Sequence, residues 1–195
     1  MLSVNPFVEL SSFISPIAMQ VFVLVMVALT VGGTILDMIH KKNAKYFFEN
    51  SKKLKKSATR HVPAGEKAAI IAKTLAHDVA TSAEFCGFKR RMAHLLGMYG
   101  TIIFWVTSVI MIFSYPTSAT TPVLYPILWH VGALMTCLGG YWFWFFLRVD
   151  VSAEAHPWYR IITADLFVLA LLACATFALG WSYSQTIQMF GLSYF

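Results

Sequence analysis

All fifteen Lys and Arg residues of the chain lie on one side of its apolar segments. Thirteen fall between Lys41 and Arg91, and the other two are Arg148 and Arg160. None occurs in residues 1–40, in Ser114–Pro126, or after Arg160. Loops that stay in the cytoplasm keep Lys and Arg, whereas translocated loops exclude them. This distribution predicts an integral membrane protein whose basic loop faces the cytoplasm.

The apolar material agrees. Hydrophobic residues make up 58% of the chain and charged residues 12%, where a soluble domain carries about 25% charged residues. A span needs roughly 20 apolar residues to cross a hydrocarbon core about 30 Å thick. Four segments qualify, at about Pro16–Ile39, Leu95–Tyr115, Val123–Leu147 and Ile161–Trp181. The expected fold is all-α: an integral membrane bundle of four transmembrane helices, forming a single membrane domain over residues 1–195. Lys41, Lys42 and Lys45 follow the first span directly, which reads as a stop-transfer flank and not as a cleaved signal peptide. The N-terminus is therefore expected outside, and four spans return the C-terminus outside. The expected location is multi-pass in the inner (cytoplasmic) membrane.

The net charge of +6 is this bias gathered into one loop, and does not indicate nucleic-acid binding. It would attract anionic membrane lipid or an acidic partner. Cys86, Cys137 and Cys174 are widely spaced with no C-x-x-C, so this chain encodes neither an iron–sulfur cluster nor a zinc site. Cys137 and Cys174 suit small buried apolar roles, and Cys86 a free cytoplasmic thiol.

The cytoplasmic loop, residues 40–93, has two parts. Lys41–Arg60 is polar and strongly basic. After Pro63, Ile71, Leu75, Val79 and Ala83 recur every four residues, which predicts a helix lying on the membrane face or docking a partner. Gly32-Gly33, near the inner end of the first span, is an expected close-packing point. The second helix is expected to begin after Lys89-Arg90-Arg91, and the fourth near Trp158. The aromatic run Tyr141–Phe146 approaches the inner boundary, where aromatic belts form. The inner connection Arg148–Arg160 holds Asp150, Glu154 and His156.

No nucleophile elbow, phosphate loop or paired-carboxylate pattern is present, so chemistry must come from histidines, acids or aromatics. The histidines are His40, His61, His77, His94, His130 and His156. Imidazole at a helix end inside a bundle can ligate haem iron axially, or can simply hydrogen-bond at the interface. His40, His94 and His156 all fall at inner helix ends. His130 lies some seven residues into the third span from the outside, about 10 Å deep and roughly 20 Å from the level of His94. Those two cannot hold one iron between them. A bis-histidine site built on His94 needs His40 or His156, which leaves His130 for packing, proton handling or quinone contact. Asp165 is the one acid well inside an expected span. It is either a functional proton or quinone contact or the partner of Arg160 or Arg148 in an ion pair near the inner boundary.

At Thr74–Gly100 the chain reads TLAHDVATSAEFCGFKRRMAHLLGMYG. A helix-like segment, then basic residues, then a histidine shortly before Tyr-Gly, resembles membrane cytochromes of the nitrate reductase gamma-subunit type. Within that group it is most similar to the membrane domain of the quinone-interacting membrane-bound oxidoreductase complex. With its length and four spans it looks closest to the short membrane anchors of adenylylsulfate reductase. The resemblance covers roughly residues 16–182. It implies that His94 is a haem ligand opposed by a ligand from a later helix. Ile161–Trp181 contains no histidine, so either His40 or His156 substitutes or the anchor carries no haem. The resemblance further implies a membrane anchor, non-catalytic or electron-transferring, that docks a cytoplasmic adenylylsulfate reductase on the basic loop 41–91. It would link that enzyme to the quinone pool, with b-type haem as an open element. The alternative is a haem-free structural or accessory subunit of another membrane complex.

Overall fold

The computed structural model describes residues 2–60, 62–85, 87–116, 121–149, 156–163 and 165–191, leaving aside the side chains of Asn43 and 188–191. His61, Cys86, Asp150 and Glu154 lie outside the described residues. The described elements are helices, with no strand among them. Four are long and apolar enough to cross a membrane: α2 (Pro16–His40), α5 (Phe88–Ser114), α6 (Leu124–Trp142, prolonged by a π-helical turn over Phe143–Leu147) and α7 (Asp165–Gly191). The chain is an all-helical, multi-pass membrane protein. Short α1 (Pro6–Leu10) precedes them, and α3 (Asn43–Ser57) and α4 (Ala64–Thr74, with a π-helical turn over Leu75–Val79) fill the basic loop.

Local chemistry sets several boundaries. Pro16 opens α2, and the Ser15 Oγ accepts from the Ala18 amide at 3.2 Å, a side-chain cap on the first turn. α5 begins at Phe88, so Lys89, Arg90 and Arg91 form its first turn instead of preceding it. α7 begins at Asp165, later than the expected start near Trp158. The Asp165 carboxylate accepts from the Ile162 amide at 2.8 Å and holds the chain out of the helix until that point. Asp165 is therefore the first residue of its helix and not one to two turns inside it. α3 goes beyond the sequence expectation, because its lysines hide its periodicity. The helix expected after Pro63 is present as α4 and its π turn, but Ala83 lies beyond its end.

Helices in a bilayer gain little from the hydrophobic effect and associate through close packing. Glycine supplies that packing here. A Cβ on Gly100 would stand 2.6 Å from the Thr136 amide nitrogen, one on Gly132 2.6 Å from the Phe104 nitrogen, and one on Gly139 2.6 Å from the Gly97 nitrogen. The three contacts put α5 and α6 antiparallel, backbone against backbone, in one register. Gly140 faces the other way and takes the Leu172 side chain of α7. The core between these helices holds Phe104, Met111, Trp129, Ala133, Cys137 and Ala175, with the Trp129 indole N–H donating to Ser108 Oγ at 2.9 Å.

At the end away from the lysines, α1 closes the bundle. The Asn5 carboxamide caps α1 through Phe7 N at 3.0 Å and donates to Tyr115 O and Thr121 Oγ1, both at 3.1 Å. Gln185 donates to Pro6 O at 3.2 Å, and the Phe7 ring meets Trp129 edge-on. α2 stands apart. It touches α5 near this end, through buried Met19 and the Gln20 carboxamide on Ile112 O at 3.2 Å, and no stretch of it is buried. Gly32 and Gly33 have nothing within 4 Å of an added Cβ, so the expected close packing there is not made within this chain. Cys137 is buried as expected, whereas Cys174 faces outward.

Replacing Gly100 or Gly132 with Leu should push α5 and α6 apart and lower the stability of the detergent-solubilised protein by about 1–3 kcal/mol or more, since the opposing atoms are backbone. Gly33→Leu should leave the unfolding midpoint unchanged, and denaturant titration of the three variants measures the contrast.

Candidate functional site

The residues of the Thr74–Gly100 motif meet one another at the basic end of α5. The segment after α4 folds back on the first turns of α5 and is held by three of its side chains. Arg91 Nε donates to Thr81 O at 2.7 Å, Tyr99 Oη donates to Ala80 O at 2.6 Å, and His94 Nδ1 shares a hydrogen bond with Ser82 Oγ at 2.9 Å. Ser82 is buried with a φ of 50°, a left-handed conformation that an L-residue with a branched or bulky side chain would resist. The Phe85 ring lies 4.8 Å from the His94 ring, centroid to centroid. His94 is thus fixed in orientation from two sides.

Beside it lies a cavity of about 540 Å³ walled by α5, α6, α7 and Phe85. Gly97, Gly139 and Gly140 line it and send nothing into it, so the glycine seam that joins the helices also leaves this space. The wall is mostly apolar, with Ile102, Phe143, Phe167 and Leu171 among it. Its polar groups are Arg90, His94, Thr101 and Thr136, and the two threonine hydroxyls approach each other at 3.4 Å. An apolar slot with a few polar groups at one end is the usual form of a small-molecule site.

The other expected site residues lie elsewhere. His40 ends α2 in an exposed position, and His156 sits in the connection before α7, where its carbonyl accepts from Arg148 Nη1 at 3.4 Å. Neither lines the cavity. His130 is 3% exposed near the opposite end, with Nδ1 on Pro126 O and Nε2 on Ser182 Oγ, each at 2.7 Å. By the helix register it lies about twelve residues along α5 from His94, or about 18 Å. Its two ring nitrogens are both engaged, one within α6 and one on α7.

The b-type haem implied by the resemblance needs two axial ligands from opposite faces. Among the described residues of the cavity wall, His94 is the sole imidazole. Met98 also lines it, but one turn further along the same helix, on the same side of any iron that His94 could reach. Among the described residues no group of three or more His, Cys, Asp and Glu is placed to hold a metal ion. The wall as described does not fit a two-ligand haem.

Asp165 is bound to Arg148. Arg148 Nε donates to Oδ1 at 3.1 Å and Nη2 to Oδ2, giving a two-pronged pair. The remaining N–H groups of the guanidinium go to backbone carbonyls, Nη1 to His156 and Pro157 and Nη2 to Arg160. All five donors of the guanidinium are occupied, its carbon lies 4.4 Å from the Trp144 ring centroid, and Arg148 is 0% exposed. The π-helical turn over Phe143–Leu147 delivers Arg148 to this position beneath Trp144. The pair pins the segment before α7 to the end of α6. Of the alternatives for Asp165, the geometry realises the ion pair with Arg148.

Ser82, Phe85 and Arg90 shape the His94 site without standing out in the sequence. Their signal is there, as polar and aromatic positions within one short run, but only the fold-back brings them together. The chain matches no protein-family model, and no curated protein or solved structure is similar enough to count as a relative.

Asp165→Asn and Arg148→Met should each strongly destabilise the protein, because each leaves a buried partner uncompensated. The double variant Arg148→Met with Asp165→Leu should recover much of the loss. Thermal unfolding in a mild detergent compares the three, and a double variant no better than the singles would contradict the pairing.

Proposed function

We propose that this protein is the membrane subunit of an oxidoreductase, with the cavity beside His94 as a quinone-binding site. The support is the cavity's composition and place: an apolar slot at the basic end of the bundle, with one oriented imidazole and one guanidinium at its rim. A quinone ring needs a hydrogen-bond donor at a carbonyl oxygen and a dry, flat apolar bed. His94, held through Nδ1 by Ser82, would meet the carbonyl with Nε2. Phe143 and Phe167 would bed the ring, and its apolar tail would leave between the helices into lipid. Reduction of a quinone to a quinol takes up two electrons and two protons. Electrons would come from a soluble partner, and the imidazole is suited to passing protons.

The partner in this reading is a cytoplasmic adenylylsulfate reductase docked on the basic loop 41–91, with the membrane being the inner (cytoplasmic) one and the loop on its cytoplasmic side. The similarity of Thr74–Gly100 to the anchors of such enzymes supports it, as does the position of the loop at the cavity's end of the bundle. A structural subunit without redox function is the competing reading, and it predicts no quinone affinity.

Quinone binding can be measured in detergent by quenching of tryptophan fluorescence with a short-tailed quinone. The intact protein should bind, and His94→Ala should weaken binding by about tenfold, the worth of one good hydrogen bond. His130→Ala should bind as the intact protein does if it remains folded. Equal binding by the intact protein and His94→Ala, or no binding by either, would defeat the quinone assignment. Deleting the chain should release the reductase from the membrane; unchanged membrane association would defeat the anchor assignment.

A further inference from the structure

The helix hidden among the lysines of the basic loop carries a separate property. α3 starts two residues after α2 ends, with Lys42 at φ 53° turning the chain out of the first helix into the second. One of its ends is therefore tied to the membrane boundary. Along α3, Ala44, Phe47, Phe48, Ser51 and Leu54 recur at helical spacing on one face. Lys45, Lys52 and Lys56 share the opposite face with Glu49, and Lys53 lies beside them. Glu49 is the single acid against five lysines in the helix. Lys55 falls on the apolar face in the last turn, where a long stem can reach out to the surface.

Nothing among the described residues covers the apolar face. Phe47 is 69% exposed, Phe48 63% and Leu54 69%, and the two phenylalanines contact each other edge-on. Such a face, unshielded and leashed at the bilayer edge with cations opposite, has the composition of an interfacial helix. We propose that α3 lies on the membrane surface at the basic end of the bundle, with Phe47, Phe48 and Leu54 in the acyl boundary and its lysines on anionic lipid headgroups. The occupant is lipid and not a protein, because the flanking span fixes the helix where lipid is present at the highest concentration, and because the lysines complement a surface of phosphate charge. The proposal is independent of the quinone site. In the proposed anchor it would leave α4 and the fold-back at Ala80–Phe85 as the part of the loop that a soluble partner meets.

The test is hydrogen–deuterium exchange of the full chain in nanodiscs of phosphatidylcholine, with and without phosphatidylglycerol. Amides of residues 43–57 should exchange about tenfold more slowly when the anionic lipid is present, since several lysines act together. The effect should fade at high salt and vanish in the variant Lys45→Gln, Lys52→Gln, Lys53→Gln, Lys56→Gln. Phe47→Ser with Phe48→Ser should weaken it while leaving the lysines in place. Exchange that is indifferent to phosphatidylglycerol overturns the proposal. So does protection that persists in the glutamine variant, and so does protection that arises only when a soluble partner protein is added.

Discussion

The architecture depends on the contact of α5 with α6 through Gly100, Gly132 and Gly139. Lipid tails are as apolar as leucine, so two helices have no reason to leave lipid for each other unless they fit more closely than lipid fits either one. At these positions the opposing backbone stands where a Cβ would have to be. That closeness fixes the register of the pair, and the register fixes what lies at each end. His94 falls at the basic end and His130 at the other, and no rearrangement short of sliding the helices brings them together.

The same seam makes the cavity. Gly97 and Gly139 meet each other at its wall, and Gly140 hands its side to Leu172. Where two helices touch by backbone alone, the space beside the contact is left for other elements to fill. α7 fills it at the level of Ala175 and below, but at the basic end the filling is incomplete. There Arg148 and Asp165 take over the work of holding α7 to α6. The ion pair is a costly device in a dry setting unless every donor is used. Its complete set of partners in the connection before α7 explains how it is tolerated so near the membrane boundary.

Much of this is legible in the sequence, and the failures have physical reasons. Four spans follow from hydropathy because a bilayer demands length and apolarity, which a sequence displays directly. The separation of His94 from His130 follows from counting residues along helices. The start of α7 is misplaced by hydropathy, which cannot see that the Asp165 carboxylate holds Ile162 outside the helix. Gly32-Gly33 draws attention as a packing point while Gly100, Gly132 and Gly139 do not. A glycine in a span is equally consistent with a tight contact and with none, and only the neighbouring helix decides. α3 reads as merely basic because charge dominates its composition, although Phe47, Phe48 and Leu54 keep a helical spacing among the lysines.

The division of the molecule follows from these unequal contacts. α5, α6 and α7 are bound by glycine seams, an ion pair and the α1 cap, and form a unit with defined internal geometry. α2 joins that unit near one end only, and its surface is otherwise given to lipid. A span that contributes so little to the bundle must be retained for what it connects: it carries α3 at its basic end, and α1 leads into it from the far end. Removing α2 would leave the cavity walls intact while cutting α3 and α4 from their tether in the membrane. The positions of the charged elements at the surface are thus set by α2, and the position of His94 by α5 and α6. Neither depends on the other beyond the short contact at Met19 and Gln20.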